Sequence, residues 1–327
     1  MNKFVSIFAF LSLMLCAFGQ PNADQVQSRI EGTSRTQSSL PSQTANSPST
    51  AVADTAESDT GAQRPVSLTD GEISAFFGYD TKYFYRSNPL AQDGDLSQVE
   101  TDMWTNTFFA GLSSVIESDK GVYTPYINSA YTVNDYLIDD LGDFNYNTSH
   151  ISTGLFSYYG GTATYYAKID YNMDKSTEFD TEDFSEFFPQ IGMLTSFQPS
   201  TNFALRSTFG FGYHYTKITA SGSTRPEDLL DNFEVYALLS PSISSFPLLE
   251  TVGLTYRLSY QNYDNGAYSN REDFSHSLIS KYELPLFESE APDLYLYSVY
   301  SLRNSNDNAF DYKSVDAGFG LSLMARF

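Results

Sequence analysis

The sequence predicts an all-β chain, an antiparallel up-and-down barrel of about twelve strands that crosses a membrane, preceded by a disordered tail. Three observations carry this expectation. The first is composition: of 327 residues, 25 are Tyr and 26 are Phe, yet only 41% are hydrophobic. Aromatic richness without long apolar runs favours strands over helices. The second is that no internal stretch reaches the roughly 18 to 20 consecutive apolar residues of a membrane-crossing helix, so any crossing rests on strands. The third is alternation. Between Val315 and Phe327, Val315, Ala317, Phe319, Leu321, Leu323, Ala325 and Phe327 hold one set of alternate positions. Asp316, Gly318, Gly320, Ser322, Met324 and Arg326 hold the other. Strand side chains point to opposite faces with period two, so this segment has one apolar wall and one small or polar wall.

The chain divides into three parts. Residues 1–19 read as a signal peptide, with Lys3 before the apolar run Phe4 to Ala17 and small residues at Ala17 and Gly19 ahead of a cut before Gln20. Cleavage there removes Cys16, the one cysteine, and with it disulfide, thiolate-metal and cysteine-nucleophile chemistry. The bulky Leu15 before Cys16 argues against lipidation. Residues 20–66 are rich in Ser, Thr, Gln, Ala and Pro and contain no aromatic residue. Such a segment buries too little apolar surface to offset the entropy of ordering, so it is expected to be a disordered periplasmic tail. Residues 67–327 are assigned to the barrel.

The strands follow in order. From Glu72, Ile73, Ala75, Phe77, Tyr79, Tyr83 and Tyr85 alternate with Ser74, Gly78, Asp80 and Lys82. The second strand sets Trp104, Phe108, Ala110 and Leu112 against Thr105, Thr107 and Gly111, and the third sets Tyr123, Ile127, Tyr131 and Val133 against Thr124, Asn128 and Thr132. A fourth, near Ile151 to Tyr159, turns at Gly160-Gly161 into a fifth whose polar wall is Thr164, Tyr166, Lys168, Asp170 and Asn172. The sixth ends near Phe197 before a tight turn at Gln198-Pro199-Ser200, and the seventh runs from Phe203 to His214. The eighth, which includes Val235 to Leu239, has an uncertain end because Pro241 lacks a ladder donor. Val252 to Gln261, Phe274 to Leu284, Leu294 to Leu302 and the terminal segment complete the set.

The connections alternate long and short. Residues 86–102, 134–148, 174–186, 219–231, 264–273 and 304–313 are the long ones. Bacterial transmembrane barrels combine an even strand number with short periplasmic turns and longer outer loops, whereas a soluble sandwich gives no reason for this rhythm. An even number also puts both ends of the barrel on one side.

The formal net charge is −22. It concentrates in the long connections, as in Asp139-Asp140 with Asp143, the run Glu178 to Asp183, and Glu227-Asp228, so it describes the outer mouth. Carboxylates of this kind bind Ca²⁺ or Mg²⁺ when suitably spaced, but none of these runs has calcium-loop spacing and no metal ligand is assigned. A chain this acidic is not expected to bind nucleic acid. The inner wall is more balanced: Lys82, Lys168, Arg206, Arg257, Lys281 and Arg326 stand beside Asp80, Asp170, Glu234, Glu283 and Asp316. These are the candidate lumen residues.

Three histidines leave few catalytic options. His150-Ile151-Ser152 resembles the His-x-Ser pair of outer-membrane phospholipase A, a twelve-stranded barrel, although Thr153 replaces the Asn of that pattern before Gly154. In the register above, Ile151, Thr153 and Leu155 face lipid, so His150 and Ser152 face inward or sit in the loop, and Asn147 is the only nearby candidate for the oriented base and oxyanion site that a nucleophile needs. His276 and Ser277 are adjacent and point to opposite faces. His214 reads as a polar lumen residue. No phosphate-cradling glycine loop or cysteine–histidine zinc pattern is present, so neither enzymatic activity nor a cofactor is expected.

Two segments carry family resemblances. The terminal strand resembles that of bacterial outer-membrane barrels, where a final Phe with apolar residues at alternate positions before it is the signal for barrel assembly. Phe319, Leu321, Leu323 and Phe327 hold those positions. The opening Gly78-Tyr79-Asp80-Thr81-Lys82-Tyr83-Phe84-Tyr85-Arg86 is similar to the first strand of TorF-type porins, with Ser87 where that family carries Gly. The resemblance implies an outer-membrane location, lipids and the barrel assembly machinery as partners, and a passive channel for small polar solutes or ions. The alternative is a non-conducting barrel that acts through its acidic loops as an anchor or interaction protein, and a lipid hydrolase is third. About eight strands leave a filled interior and about sixteen an aqueous one, so at twelve the lining either conducts or pairs and plugs.

Overall fold

The computed structural model describes residues 73–89, 100–178, 182–219, 227–246, 249–284 and 293–326. The signal segment, the tail, residues 67–72 and Phe327 lie outside them. Twelve strands follow one another: β1 (Ile73–Arg86), β2 (Thr101–Ser114, resumed after Val115 as Ile116–Ser118), β3 (Gly121–Tyr136), β4 (Tyr146–Tyr158), β5 (Ala163–Ser176), β6 (Glu182–Ser200), β7 (Phe203–Ile218), β8 (Asn232–Phe246), β9 (Leu249–Tyr263), β10 (Glu272–Leu284), β11 (Asp293–Ser305) and β12 (Tyr312–Arg326). Each is antiparallel to its chain neighbour, and β1 pairs with β12 from Phe76 opposite Arg326 to Arg86 opposite Asp316. That seam closes the sheet, which leaves no edge to recruit another chain. The predicted fold class, strand number and up-and-down order hold.

The strands are longer than their sequence patterns, at 13 to 19 residues. The predicted long connections are correspondingly shorter. Arg86 and Asp102 are strand residues, Asn134 to Tyr136 extend β3, Tyr146 to Thr148 open β4, Asp174 to Ser176 extend β5, and Glu182 to Glu186 open β6. The ladder continues past the apolar belt, where outward positions meet water and the alternation that marks a strand in sequence fades. β8 also runs through Pro241, which pairs with Leu205 on β7, while the ladder to β9 is interrupted between Gly253 and Tyr256.

The outer wall is apolar. Every strand exposes at least one large hydrophobic side chain, from Phe77 on β1 through Ile127, Ile169 and Phe209 to Leu278 on β10 and Phe319 on β12. Apolar surface continuous around a barrel needs lipid against it. The polar side chains on this wall bond to one another. Thr195 Oγ1 lies 2.7 Å from Ser207 Oγ, Ser280 Oγ 2.8 Å from Ser298 Oγ, and Tyr256 Oη 2.7 Å from His276 Nδ1. Trp104 Nε1 donates to Thr81 Oγ1 at 2.8 Å, and Thr81 donates on to Asn106 at 3.0 Å. Hydrocarbon offers no water to satisfy such groups, so pairing them within the wall is what a lipid-facing surface requires. The fold is a transmembrane antiparallel β-barrel, the architecture of outer-membrane proteins. Phe319, Leu321 and Leu323 stand on this outer wall, and Phe319 stacks on Tyr83 across the closing seam with ring centres 5.7 Å apart.

Candidate functional site in the lumen

All eight candidate lumen residues face the interior, but they do not gather into one site. Three form pairs with the residue two positions along the same strand: Lys82 with Asp80 at 3.6 Å, Lys168 with Asp170 at 3.1 Å, and Lys281 with Glu283 at 3.2 Å. Residues two apart share a face, so these pairs need no long-range register. Asp316 lies nearer the end that carries the long connections, here the outer end. There it takes a two-pronged contact from Arg86 across the seam, with Nη2 to Oδ2 at 2.6 Å and Nε to Oδ1 at 3.1 Å. Arg206 is half-buried on the inner half of β7. Nothing is described of the Arg326 side chain.

A girdle of hydrogen bonds crosses six consecutive strands, one side chain from each. His150 Nδ1 on β4 lies 2.6 Å from Asn172 Oδ1 on β5, and Asn172 Nδ2 donates to Glu186 Oε2 on β6 at 3.0 Å. His214 on β7 bridges two carboxylates, Nδ1 to Glu186 Oε1 at 2.6 Å and Nε2 to Glu234 Oε2 on β8 at 3.0 Å. Arg257 Nη2 on β9 donates to Glu234 Oε1 at 2.7 Å. Register accounts for the early links, since His150 is directly opposite Asn172 and Asn172 is opposite Glu186. Gly212 stands opposite Glu234, and a Cβ there would come within 2.4 Å of the Pro189 carbonyl oxygen and 2.6 Å of the Phe188 ring. A neutral imidazole donates from one nitrogen only, so contacts from both nitrogens to carboxylates fit the imidazolium. Two carboxylates, one imidazolium and one guanidinium then sum to zero. The Phe188 ring stacks on His214 with centres 3.6 Å apart. His214 was legible as a lumen residue, whereas Glu186 fell in a predicted connection and carried no signal of its role.

Nearer the inner end, Tyr166 on β5 and Tyr236 on β8 reach towards each other across β6 and β7. Their hydroxyl oxygens are 2.6 Å apart, and Tyr236 donates to Gln190 Oε1. Gln190 Nε2 in turn donates to Asp170 Oδ2 at 2.6 Å. The rings lie over Gly192 and Gly210, where a Cβ would come within 2.4 and 2.3 Å of the Tyr166 hydroxyl. Glycine is required there by the closeness of the tyrosine.

The outer end is sealed. Phe84, Met103, Tyr136, Tyr146, Phe184, Ile218 and Tyr263 from strand ends pack with Leu141, Phe144, Leu229, Leu230 and Tyr268 from the connections into one buried cluster. Leu141 and Phe144 ride on a 3₁₀ turn at Asp139–Phe144, and Tyr268 on another at Gly266–Tyr268. Arg271 sits within the lid, its guanidinium 4.4 Å from the Tyr263 ring centre and 3.9 Å from that of Phe310, while it bonds Asp273. Asp231 Oδ1 accepts from Thr216 N at 2.5 Å and Thr216 Oγ1 at 2.8 Å, which pins the connection that carries Leu229 and Leu230. Burial pushes the Asp231 carboxyl above its ordinary range, with Asp228 and Asp264 adding to the rise and the Thr216 bonds opposing it. On the inner half, by contrast, inward residues such as Leu194, Ser196, Thr208, Ser240 and Ser242 are only half-buried. Among the described residues the lumen is therefore closed by apolar packing at the outer end and less tightly filled towards the short turns, where half-buried polar side chains mix with buried charged pairs and with the clusters of Tyr126, Phe156 and Tyr166 and of Phe188, Tyr236 and Leu238.

Catalytic and metal geometry can be placed as well. His150 and Ser152 share the inner wall, but His150 is engaged by Asn172, and Ser152 Oγ lies 3.3 Å from Tyr126 Oη. Among the described residues no group of three or more His, Cys, Asp and Glu side chains is placed to hold a metal ion.

No protein-family model and no curated protein matches the chain. Solved barrels resemble it in shape. An outer-membrane channel from Pseudomonas putida F1 is similar over 79% of this chain and 97% of its own, with 10% identity and a TM-score of 0.47. The translocator domain of the autotransporter NalP from Neisseria meningitidis is similar over 92% and 97%, with 12% identity and a TM-score of 0.40. The KdgM porin, solved in complex with disordered oligogalacturonate, is similar over 75% and 98%, with 6% identity and a TM-score of 0.37.

Proposed function

We propose that the protein is a bacterial outer-membrane channel for passive diffusion of small polar solutes or ions, shut at its outer mouth in the conformation described. One observation carries the reading: below the girdle the inward wall holds charged pairs and half-buried polar side chains beside its aromatic clusters, and the seal above it draws on connections. Five of the twelve buried lid residues, Leu141, Phe144, Leu229, Leu230 and Tyr268, belong to connections. Such segments open at lower free energy than a closed ladder, so the lid can move while the wall stays intact. Passage needs no catalytic residue, since bore and lining charge set what enters. The signal-like start, the apolar outer wall and the alternating terminal strand support export and assembly in the outer membrane by the barrel machinery. The mature chain, refolded into a planar bilayer, is expected to give discrete conductance steps of low open probability. A refolded barrel with heat-dependent gel mobility that never conducts would overturn the reading.

The seal itself favours a second reading, a non-conducting barrel that presents its acidic loops to partners. Under that reading no loop substitution produces conductance.

A further inference from the structure

We infer that the barrel associates with a second copy of itself through the outward face of β1–β3, centred on Asn106 and Tyr79. The inference holds whether or not the lumen conducts. On most strands the outward side chain at mid-strand is large, apolar and exposed, as with Ile169, Ile191, Phe209, Leu239, Leu278 and Phe319. On β1, β2 and β3 the mid-strand outward positions include Thr81, Asn106 and Ser129. These stand inside the apolar belt and not above it. Asn106 lies between the exposed Trp104 and Phe108 along β2, and Ser129 between the exposed Ile127 and Tyr131 along β3.

Asn106 is only partly satisfied there. Its Oδ1 accepts from Tyr79 Oη at 2.6 Å and from Thr81 Oγ1 at 3.0 Å, and Thr81 Oγ1 accepts from Trp104 Nε1 at 2.8 Å. Among the described residues the Asn106 Nδ2 has no acceptor and Tyr79 Oη accepts from no donor. Turning the amide over moves the spare capacity to Oδ1 and does not remove it. Hydrocarbon offers neither water nor an acceptor at this depth, so a second protein surface that supplies one is favoured. The face carries that acceptor itself. Asn106 and Tyr79 lie side by side and so at one depth, and a twofold axis along the membrane normal beside them sets each Nδ2 against Tyr79 Oη of the other copy. Every copy then gives one donor and takes one. Ala110 and Ser129, directly opposite each other and both exposed, are small enough to let two walls approach closely. Elsewhere on the wall Thr195 bonds Ser207 and Ser280 bonds Ser298, while the second ring nitrogen of His276 is a single atom between Leu258 and Leu302 on the neighbouring strands.

The test is energy transfer between donor- and acceptor-labelled copies of the refolded mature chain in liposomes, read against the protein-to-lipid ratio, with heat-dependent gel mobility to verify each barrel. Wild type is expected to give the saturable signal of a dimer. Asn106→Leu and Tyr79→Phe should each raise the dissociation constant about tenfold, and His276→Phe should leave it within about twofold. If Asn106→Leu does not fold, Tyr79→Phe, which removes one hydroxyl, decides. Residues 20–327 contain no cysteine, so Ala110→Cys on the proposed face should give a dimer with a short thiol cross-linker, whereas Leu278→Cys on β10 should not. A chain that stays monomeric at every ratio, a dimer indifferent to both substitutions, or one linked as readily through Leu278→Cys overturns the inference. None of these outcomes bears on the channel reading, which conductance decides.

Discussion

Replacing Leu229 and Leu230 together with Ser is expected to open the channel without unfolding the barrel. Both side chains are essentially sealed from solvent, at 1% and 0% exposure, and both belong to a connection. Full burial of a leucine contributes about 1.5 to 3 kcal/mol, so the pair contributes on the order of 4 kcal/mol to the closed lid. Each 1.4 kcal/mol is a factor of ten, so the ratio of closed to open channels should fall by up to roughly a thousandfold. Repacking of Leu141, Phe144 and Tyr268 would recover part of this, which makes the figure an upper bound. The assay is open probability in planar bilayers, beside the wild type and Leu239→Ser, a control on the lipid-facing wall of β8. Gel mobility and urea midpoint should change little, because no ladder residue is touched. An open probability within about threefold of the wild type in a folded variant would refute the view that these leucines hold the lid.

Three further outcomes follow from the same geometry. His214→Ala strands Glu186 and Glu234 as buried, poorly compensated charges and should cost about 3 to 5 kcal/mol of barrel stability in urea unfolding; a loss below about 1 kcal/mol would count against the girdle as a structural unit. Gly192→Ala sets a methyl 2.3 Å from the Phe209 carbonyl oxygen and should cost about 1 to 3 kcal/mol, whereas Gly142→Ala, with nothing within 4 Å, should be near neutral; equal costs would refute the packing argument. Asp231 yields a pH dependence. Its carboxyl is raised in the closed lid above the ordinary value of about 3.9, so the closed lid binds that proton more tightly than the released loop does. The corresponding stability is fully present below the ordinary value and is lost as pH rises through the raised one. Open probability should therefore fall on acidification through the window that lies above the ordinary carboxylate value, and Asp231→Asn should flatten that change. A profile identical in the variant would assign the titration elsewhere.

The barrel was legible wherever its outer wall meets lipid. Ile151, Thr153 and Leu155 fixed the face of β4 and turned His150 and Ser152 away from lipid, while leaving open whether they stood in the strand or in the loop before it. The same alternation set Lys168, Asp170 and Arg257 on the wall opposite the exposed apolar residues. It failed at the outer strand ends, as at Asp174 to Ser176 and Glu182 to Glu186, because both faces there meet water or protein and neither is forced to be apolar. The girdle was hidden for another reason. That Glu186 meets Asn172 and His214 depends on the register of three strands, which no single strand's pattern encodes. The lid had a signal that the acidic composition masked: Leu229, Leu230 and Phe144 are large apolar residues within acidic connections, and a residue of that kind has to be covered by something.

The contrast between the two ends of the lumen also bears on the choice between channel and anchor. A buried ion pair rarely stabilises more than a well-packed apolar pair of similar volume, because desolvation offsets most of the Coulomb gain. A barrel whose only task was to stay folded would gain by filling its interior with leucine and phenylalanine. This chain does so at the outer end, where Phe84, Met103, Leu229 and Leu230 pack against Phe184 and Ile218. Below that lid two smaller clusters, Tyr126 with Phe156 and Tyr166, and Phe188 with Tyr236 and Leu238, are interleaved with Lys168, Asp170, Gln190, Glu234 and Arg257, which are held in place by glycines that admit tyrosines and by an imidazolium between two carboxylates. The same backbone could carry apolar residues at those inward positions, so stability does not explain the charges. Contact with water and with what dissolves in it does. On that reasoning, replacing Lys168, Asp170 and Gln190 together with apolar residues of similar volume, so that no partner is left charged, should leave the urea midpoint unchanged or raise it while reducing conductance through lid-opened channels, and a barrel that conducts equally well with the apolar set would remove the strongest argument for a solute path.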